Sequence, residues 1–319
     1  MTSVGRLPWP GLWLMLALLM VGAVYLLAGL GPRADVVLPL RATRLAGMVV
    51  LGVAIAVATV LFQTVSRNRI LTPQIMGVDA LYILLQTGLV LVLGPVGFAT
   101  LPVAGKFTLE LVVMVLAALA LFGTLLGRGS QDVARMILTG VILGILLRSL
   151  ANLIARLMDP NAFAVVQAES VVSLTRLDAG LLPFAAAVTG LAAGLAVWLA
   201  PRLDVAALGR ETAVALGLRH DGLVMLALAL VAVLVAVATA LVGPLTFLGL
   251  IVVALARPLA GSARHLPLLI TASVLAVLML VAGQLVFERV LRLQSALPAV
   301  LEGAGGVAFL WLLLKGRIR

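Results

Sequence analysis

The chain of 319 residues contains no cysteine. That excludes disulfides, thiolate metal sites and cysteine nucleophiles. Histidine is nearly missing too: His220 and His265 are the only two, each beside charged, loop-like sequence. Isolated histidines of that kind read as loop residues, not as a metal site. Charge is scarce as well. Asp, Glu, Lys and Arg make up 11% of the chain, where a soluble domain carries about a quarter. No stretch fits the phosphate-wrapping pattern G-x-x-x-x-G-K-[ST]; Gly105-Lys106 is followed by Phe107 and lacks the earlier glycine. Nothing points to catalysis on this chain. There is also no low-complexity tract, internal repeat or soluble domain, so residues 1–319 read as a single membrane domain.

What is present is apolar. The chain is 64% hydrophobic with a mean hydropathy of +1.27. A soluble fold could not hide that much apolar surface, so membrane lipid is the solvent. Only helices or a closed barrel satisfy every backbone group in lipid. The apolar runs are long and continuous, unlike the alternating segments of about ten residues in a barrel. The expected class is therefore all-α, with about ten transmembrane helices near 11–30, 45–65, 75–94, 108–126, 133–155, 181–200, 222–241, 244–258, 267–287 and 298–314. The first run, Gly11 to Leu30, exceeds a signal-peptide core of about 7–15 residues and is read as a retained span. Turn chemistry separates the runs at Gly31-Pro32, Thr72-Pro73, Gly94-Pro95, Asp159-Pro160, Gly243-Pro244 and Leu297-Pro298.

The net charge of +10 is spread over the loops, without a basic domain or an aromatic-studded RNA motif. No nucleic-acid partner is expected. Membrane orientation explains the excess: with both termini cytosolic, ten spans place more arginines and lysines inside than outside. Gly140 with Gly144, and Gly190 with Gly194, form two GxxxG pairs that predict close helix approach. Arg148, Asn152 and Arg156 recur every four residues and share one face of the fifth span. With a helix start near Val133, Arg148 lies ~22 Å along it, in the outer leaflet. Charges at that depth face protein or a wet cavity. Two readings stand: a basic stripe at the outer mouth, or snorkelling with a bond to Asp159 or Glu169. Thr59, Gln63, Gln86 and Thr87 fit either a wet path or interhelical bonds. The acids Asp79, Glu110 and Glu302 fall near predicted span ends, with Glu302 and Gln284 as candidate neighbours of Arg289 or Arg292. A midplane without acids argues against an ion-coupled secondary transporter.

Four segments carry a resemblance. Arg41-Ala-Thr-Arg44 precedes LAGMVVLGVAIAVATVLFQTVSRNRILTPQIMGVD. This is similar to the FecCD-type permeases of ABC importers for iron siderophores, haem and cobalamin, whose pattern is R-x-P-R, a Gly-rich span, then Q-x-x-x-R-N-P-L-A-x-P-x-x-L-G-V. Gln63, Arg67, Asn68, Leu71, Pro73, Gly77 and Val78 stand in register; Thr43 and Arg69 replace two family prolines. The NRILTPxIMG wording resembles a branch of siderophore importers built with two different permease chains. Second, Leu208-Gly-Arg-Glu-Thr-Ala-Val-Ala-Leu-Gly217-Leu resembles the family's L-G-E-x-x-A-x-x-L-G-V and the wider EAA-x-x-x-G loop. Ala206, Ala213 and Leu216 are expected on one face of a short helix, and Gly217 at its C′ position. Third, Gly243 to Arg257 resembles G-x-I-x-F-V-G-L-I-V-P-H-x-x-R, with Val253-Ala254 in place of Pro-His. Fourth, Leu297-Pro298 through Gly305-Gly306, Phe309 and Leu312 to Leu314 resembles the final span.

The resemblance implies a type II importer permease fold in a bacterial inner membrane and no enzyme activity. ATP and Mg belong to two partner ATPase subunits, gripped through a coupling loop at about 202–221 by Leu208, Gly209, Glu211, Ala213, Leu216 and Gly217. It implies that Arg41, Arg44 and Arg289 dock glutamates of a periplasmic or lipid-anchored substrate-binding protein. It implies a second permease subunit, a different chain being favoured over a copy. The candidate path residues, read from the residues themselves, are Gln63, Gln86, Arg148, Asn152 and Arg156; in the basic-stripe reading the arginines attract an anionic ferric siderophore. Haem or cobalamin in its place, an ion-coupled transporter, and a structural membrane subunit are the rival readings.

Overall fold

A computed structural model describes residues 10–30, 32, 34–126, 133–174, 177–291 and 297–314. Among them there is no strand. The helices are α1 (Pro10–Leu27), α2 (Ala34–Val65), α3 (Asp79–Ala99), α4 (Val103–Leu126), α5 (Val133–Arg156), α6 (Pro160–Ser170), α7 (Leu182–Ala206), α8 (Arg210–Ala215), α9 (His220–Val242), α10 (Leu248–Leu259), α11 (His265–Arg289) and α12 (Leu297–Leu314), with a π turn over Gln74–Val78 before α3. Every expected apolar run holds a helix. Two short helices lie between runs: α6, capped by Asp159, whose Oδ1 accepts from the Asn161 and Ala162 N–H groups, and α8.

Two boundaries are corrected. Helix α2 begins at Ala34 instead of near residue 45 and has 32 residues. Its first turns carry Asp35, Pro39, Arg41 and Arg44, and charge hides them from a hydropathy reading although a helix can continue into the interface. The run at 244–258 is no full span. Helix α10 has 12 residues, ~18 Å at 1.5 Å per residue, against a hydrocarbon core of ~30 Å. Among the described residues, seven helical segments are long and apolar enough to cross a membrane.

Helices α2, α9 and α11 form the centre, with α7 and α10 packed on α2, α1 on α11, and α5 and α6 on α3. Leu51, Ile55, Leu61 and Phe62 of α2, with Leu228 and Leu234 of α9, are buried there. Small residues permit the close crossings that hold helices together in lipid. A Cβ on Gly52 would stand 2.9 Å from the Val277 backbone nitrogen. The pair Gly140 and Gly144 does the same for the π turn: a Cβ on Gly77 would meet the Gly144 Cα at 3.0 Å. Gly190 and Gly194 have nothing within 4 Å, so the second GxxxG pair makes no close approach among the described residues.

Two stretches of backbone break the helical pattern inside the bundle. One runs from Ser66 through the π turn, where Gly77 takes φ 100°. The other runs from Gly243, φ 95°, to Phe247. They touch where the Thr72 hydroxyl donates to the Thr246 carbonyl at 3.4 Å. Irregular backbone at membrane depth survives only where protein or a wet cavity surrounds it.

Candidate functional site

At one end of the bundle, α7 ends and α8 projects. Gly209, φ 103°, turns the chain, and Ala213 is fully buried as the anchor of α8. The helix stops in a Schellman arrangement: Gly217 N–H donates to Val214 O and Leu218 N–H to Ala213 O, both at 2.9 Å. Gly217 takes φ 81° with open space around it, so glycine serves conformation there, not packing. One expectation is corrected. Leu216 does not share the face of Ala213: it is 64% exposed, and Leu208 and Val214 are exposed beside it. Ala206 is the last residue of α7. Three apolar side chains and Glu211 thus face outward from a buried anchor. Next to them is a groove of about 600 Å³ lined in part by Arg67, Arg210, Glu211 and His220. Hydrogen bonds from Arg210 to Asp221, at 3.1 and 3.3 Å, hold the Arg210 guanidinium above its ordinary pKa. Arg67 is the one non-glycine residue with positive φ, 51°, among the described residues. Asn68 accepts from Ile70 N–H at 3.0 Å in an Asx turn, and Pro73 leads into the π turn.

Two residues expected elsewhere are structural pins at this end. Gln63 is buried and accepts from Arg257 Nη2 at 2.8 Å, tying α10 to α2. His265 is no loop residue. It is buried at the start of α11, with Nδ1 2.6 Å from Asp204 Oδ1 and Nε2 2.9 Å from Thr64 Oγ1. The Thr64 hydroxyl also lies 2.8 Å from Val60 O, so Thr64 links the imidazole to the α2 backbone. Three helices, α2, α7 and α11, meet on that imidazole. His220 opens α9 beside Asp221, and no metal-holding cluster occurs among the described residues.

Between the two ends sits a polar knot that sequence reading missed. Asp79 is buried, and its Oδ2 accepts from Thr246 Oγ1 at 2.7 Å. Thr246 N–H points to Glu302 Oε1 at 3.5 Å. Nine residue steps of α10 lead from Leu248 to Arg257, which marks the level of Gln63 at the end of α2. At 1.5 Å each that is ~14 Å, which places Thr246 and Asp79 about halfway through a ~30 Å core. The expectation of a midplane without acids is corrected here. The available signal was the pair of interrupted segments at Thr72-Pro73 and Gly243-Pro244, since broken helices mark polar sites in membrane carriers.

At the opposite end Arg41, Arg44 and Arg289 come together. Arg41 Nη1 donates to Leu26 O and Ala28 O at 3.0 and 2.8 Å, capping α1. Arg289 Nη2 donates to the same Ala28 carbonyl and stays exposed. Arg44 pairs with Glu288 at 3.3 Å, and Gln284 donates to Glu288 at 2.7 Å. Gln284 and Glu302 therefore do not pair with Arg289; Arg292 lies outside the described residues. Gln86 is fully buried and donates to Glu110 at 2.7 Å, an interhelical bond, not a path lining. Lys106 lies 3.2 Å from Glu169, and among the described residues no ion pair joins Arg148 or Arg156 to Glu169 or to the capping Asp159. Arg148, Asn152 and Arg156 are exposed.

The model of the FecCD transport family matches residues 13–315. The chain belongs to the FecCD transport family. FecCD relatives include the petrobactin import system permease protein YclO of Bacillus subtilis (strain 168), 38% identical over 282 residues, covering 88% of this chain and 89% of that one. A second is the petrobactin import system permease protein FatC of Bacillus anthracis, 30% identical over 277 residues, 87% of this chain and 78% of that one. Among solved structures, an inward-facing metal-chelate type ABC transporter shares the FecCD fold, with a TM-score of 0.77 at 24% identity over 96% of this chain and 98% of that one.

Proposed function

We propose that this FecCD chain is the membrane-spanning permease subunit of an ATP-binding-cassette importer that moves ferric-siderophore complexes across a bacterial inner membrane into the cytosol, with both its termini cytosolic. The projecting helix α8 carries the proposal: a buried alanine anchors it while Leu208, Val214 and Leu216 are left in the open. Exposed leucines outside the lipid zone are a docking face. Two ATPase subunits that hold ATP and Mg grip this face and close on it. Siderophore as cargo is supported by the petrobactin import permeases among the relatives.

The basic stripe supports a second permease subunit, favoured as a different chain. Arg148, Asn152 and Arg156 are exposed on a helix long enough to span, and charges there face protein or water, not lipid. Pairing α5 against a partner across a wet path satisfies them and gives an anionic complex a basic mouth. The cluster of Arg41, Arg44 and Arg289 is the proposed seat of the substrate-binding protein, with exposed Arg289 at its edge. Such charge sets docking register and on-rate more than affinity.

Co-expression with candidate ATPase, binding-protein and second-permease chains tests the reading. The ATPase is expected to co-purify, and loaded binding protein to stimulate hydrolysis. Removal of residues 208–218 should abolish both. Accumulation of a ferric siderophore by this chain alone under an ion gradient would overturn it.

A further inference from the structure

The knot around Asp79 is chemically unfinished. An ionised carboxylate at mid-membrane depth costs several kcal/mol unless it is paired. Oδ2 of Asp79 has the Thr246 hydroxyl, but Oδ1 is buried with no hydrogen-bond partner among the described residues. Glu302 closes the other side of Thr246, its Oε1 3.5 Å from the Thr246 nitrogen, and Arg148 lies on α5, the helix packed against α3. Arg148 is itself exposed. A buried carboxyl with one bare oxygen and an exposed intramembrane arginine, neither in an ion pair among the described residues, therefore lie on two elements packed against each other.

The backbone between them is built for approach. The π turn crosses α5 at Gly77 and Gly144, so closely that a Cβ on either would stand 3.0 or 3.1 Å from the other's Cα. Asp79 is two residues past that crossing on one element, and Arg148 is one helical turn past it on the other. Helices α3 and α5 pack along each other from there. With glycine at positions 77, 140 and 144, a small slide or roll of α5 meets main chain and the flexible Met76 side chain. The long arginine side chain can cover what remains.

We propose that Asp79 is a counter-ion of Arg148 in one end state of the transport cycle, and that the present structure shows the pair open. Closed, the guanidinium folds onto bare Oδ1 and completes the knot between α3, α5 and the Gly243–Phe247 break. Open, Arg148 faces the path with its charge available to an anionic cargo. Pairing and cargo binding then compete for one cation, which ties occupancy of the path to the position of α5. Asp79 is a positioning residue in this scheme, not a cargo ligand. The scheme rests on the importer reading above.

The test uses the complete importer with its ATPase and binding protein. Asp79→Asn and Arg148→Met are each expected to lower binding-protein-stimulated ATP hydrolysis about tenfold while the ATPase still co-purifies. The double variant should be no worse than either single one, and Asp79→Arg with Arg148→Asp should recover at least about a third of the wild-type rate. Effects that multiply, or a swap as poor as the product of the singles, would overturn the pair. Because the chain has no cysteine, Asp79→Cys with Arg148→Cys gives a clean second measurement in membrane vesicles. Cross-linking is expected to differ about threefold or more between nucleotide-free and vanadate-trapped states. No cross-link in either state, or equal yield in both, would refute the switch. A wild-type preparation that holds no ATPase would strike the importer reading instead, and the cross-link then decides the pair by itself.

Discussion

Four glycines give a graded test of how the bundle is held. Gly77 sits at φ 100°, and an added Cβ would press on the Gly144 backbone at 3.0 Å. Alanine there incurs a backbone penalty of about 1–3 kcal/mol. It adds an overpacking cost of about 1–3 kcal/mol, because the neighbour is main chain and cannot swing away. The sum, about 2–6 kcal/mol, is a large part of a domain's stability of about 5–15 kcal/mol. Gly144→Ala carries the contact cost alone, since its Cβ would lie 3.1 Å from the Gly77 Cα on an ordinary helical backbone. Gly140→Ala should be milder, because what it meets first is the Met76 methyl, the far end of a flexible side chain. Gly190→Ala meets nothing within 4 Å and should be neutral or up to about 1 kcal/mol stabilising through helix propensity. Heating the purified permease in detergent and measuring the surviving monodisperse fraction ranks the four. The expected order of loss is 77, then 144, then 140, with 190 at or above wild type. If Gly77→Ala survived heating as well as Gly190→Ala, the close crossing would be wrong, and with it the geometry that brings Asp79 to α5.

Other outcomes follow from single contacts. Asp204→Ala removes the partner of His265 and should destabilise by about 1–3 kcal/mol, seen as faster heat inactivation, while Thr64→Val loses about 1 kcal/mol less. Leu216→Asp should leave heat stability within about 0.5 kcal/mol, because the side chain is exposed, yet abolish co-purification of the ATPase. Arg44→Glu sets two carboxylates against each other at Glu288 and should slow association of the binding protein about tenfold or more, with weaker salt dependence; adding Glu288→Arg should restore the thermal stability but not the docking rate. Gln63→Leu frees the Arg257 guanidinium at the end of α10 and should cost about 2–4 kcal/mol.

Local chemistry was legible before any coordinates. Gly217 as a C′ residue, the turn at Asp159-Pro160, and the break at Gly94-Pro95, where Gly94 takes φ 70° inside α3, each depend on a few neighbouring residues and on backbone sterics. The short α10 was misread because a hydropathy window sums composition and cannot see that residues 243–247 leave the helix. The outer arginines were found, but not that Arg41 caps α1, since its partners are main-chain carbonyls 13 to 15 residues away. Gln63 and Gln86 were recognised as polar residues inside apolar spans; the interior bonds that occupy them could not be read from one dimension.

Composition alone settled the solvent. A chain so apolar, with continuous runs and no cysteine, has to be a bundle of helices in lipid, because no other backbone arrangement made of such runs satisfies its own N–H and C=O groups there. Tertiary structure decided which polar groups meet. Thr246 reaches Asp79 across 167 residues, and Arg44 reaches Glu288 across 244. The reason is physical: lipid and protein interior are equally apolar, so the sequence of a span does not say which face is covered, and a buried charge is explained only by the partner that folding brings beside it.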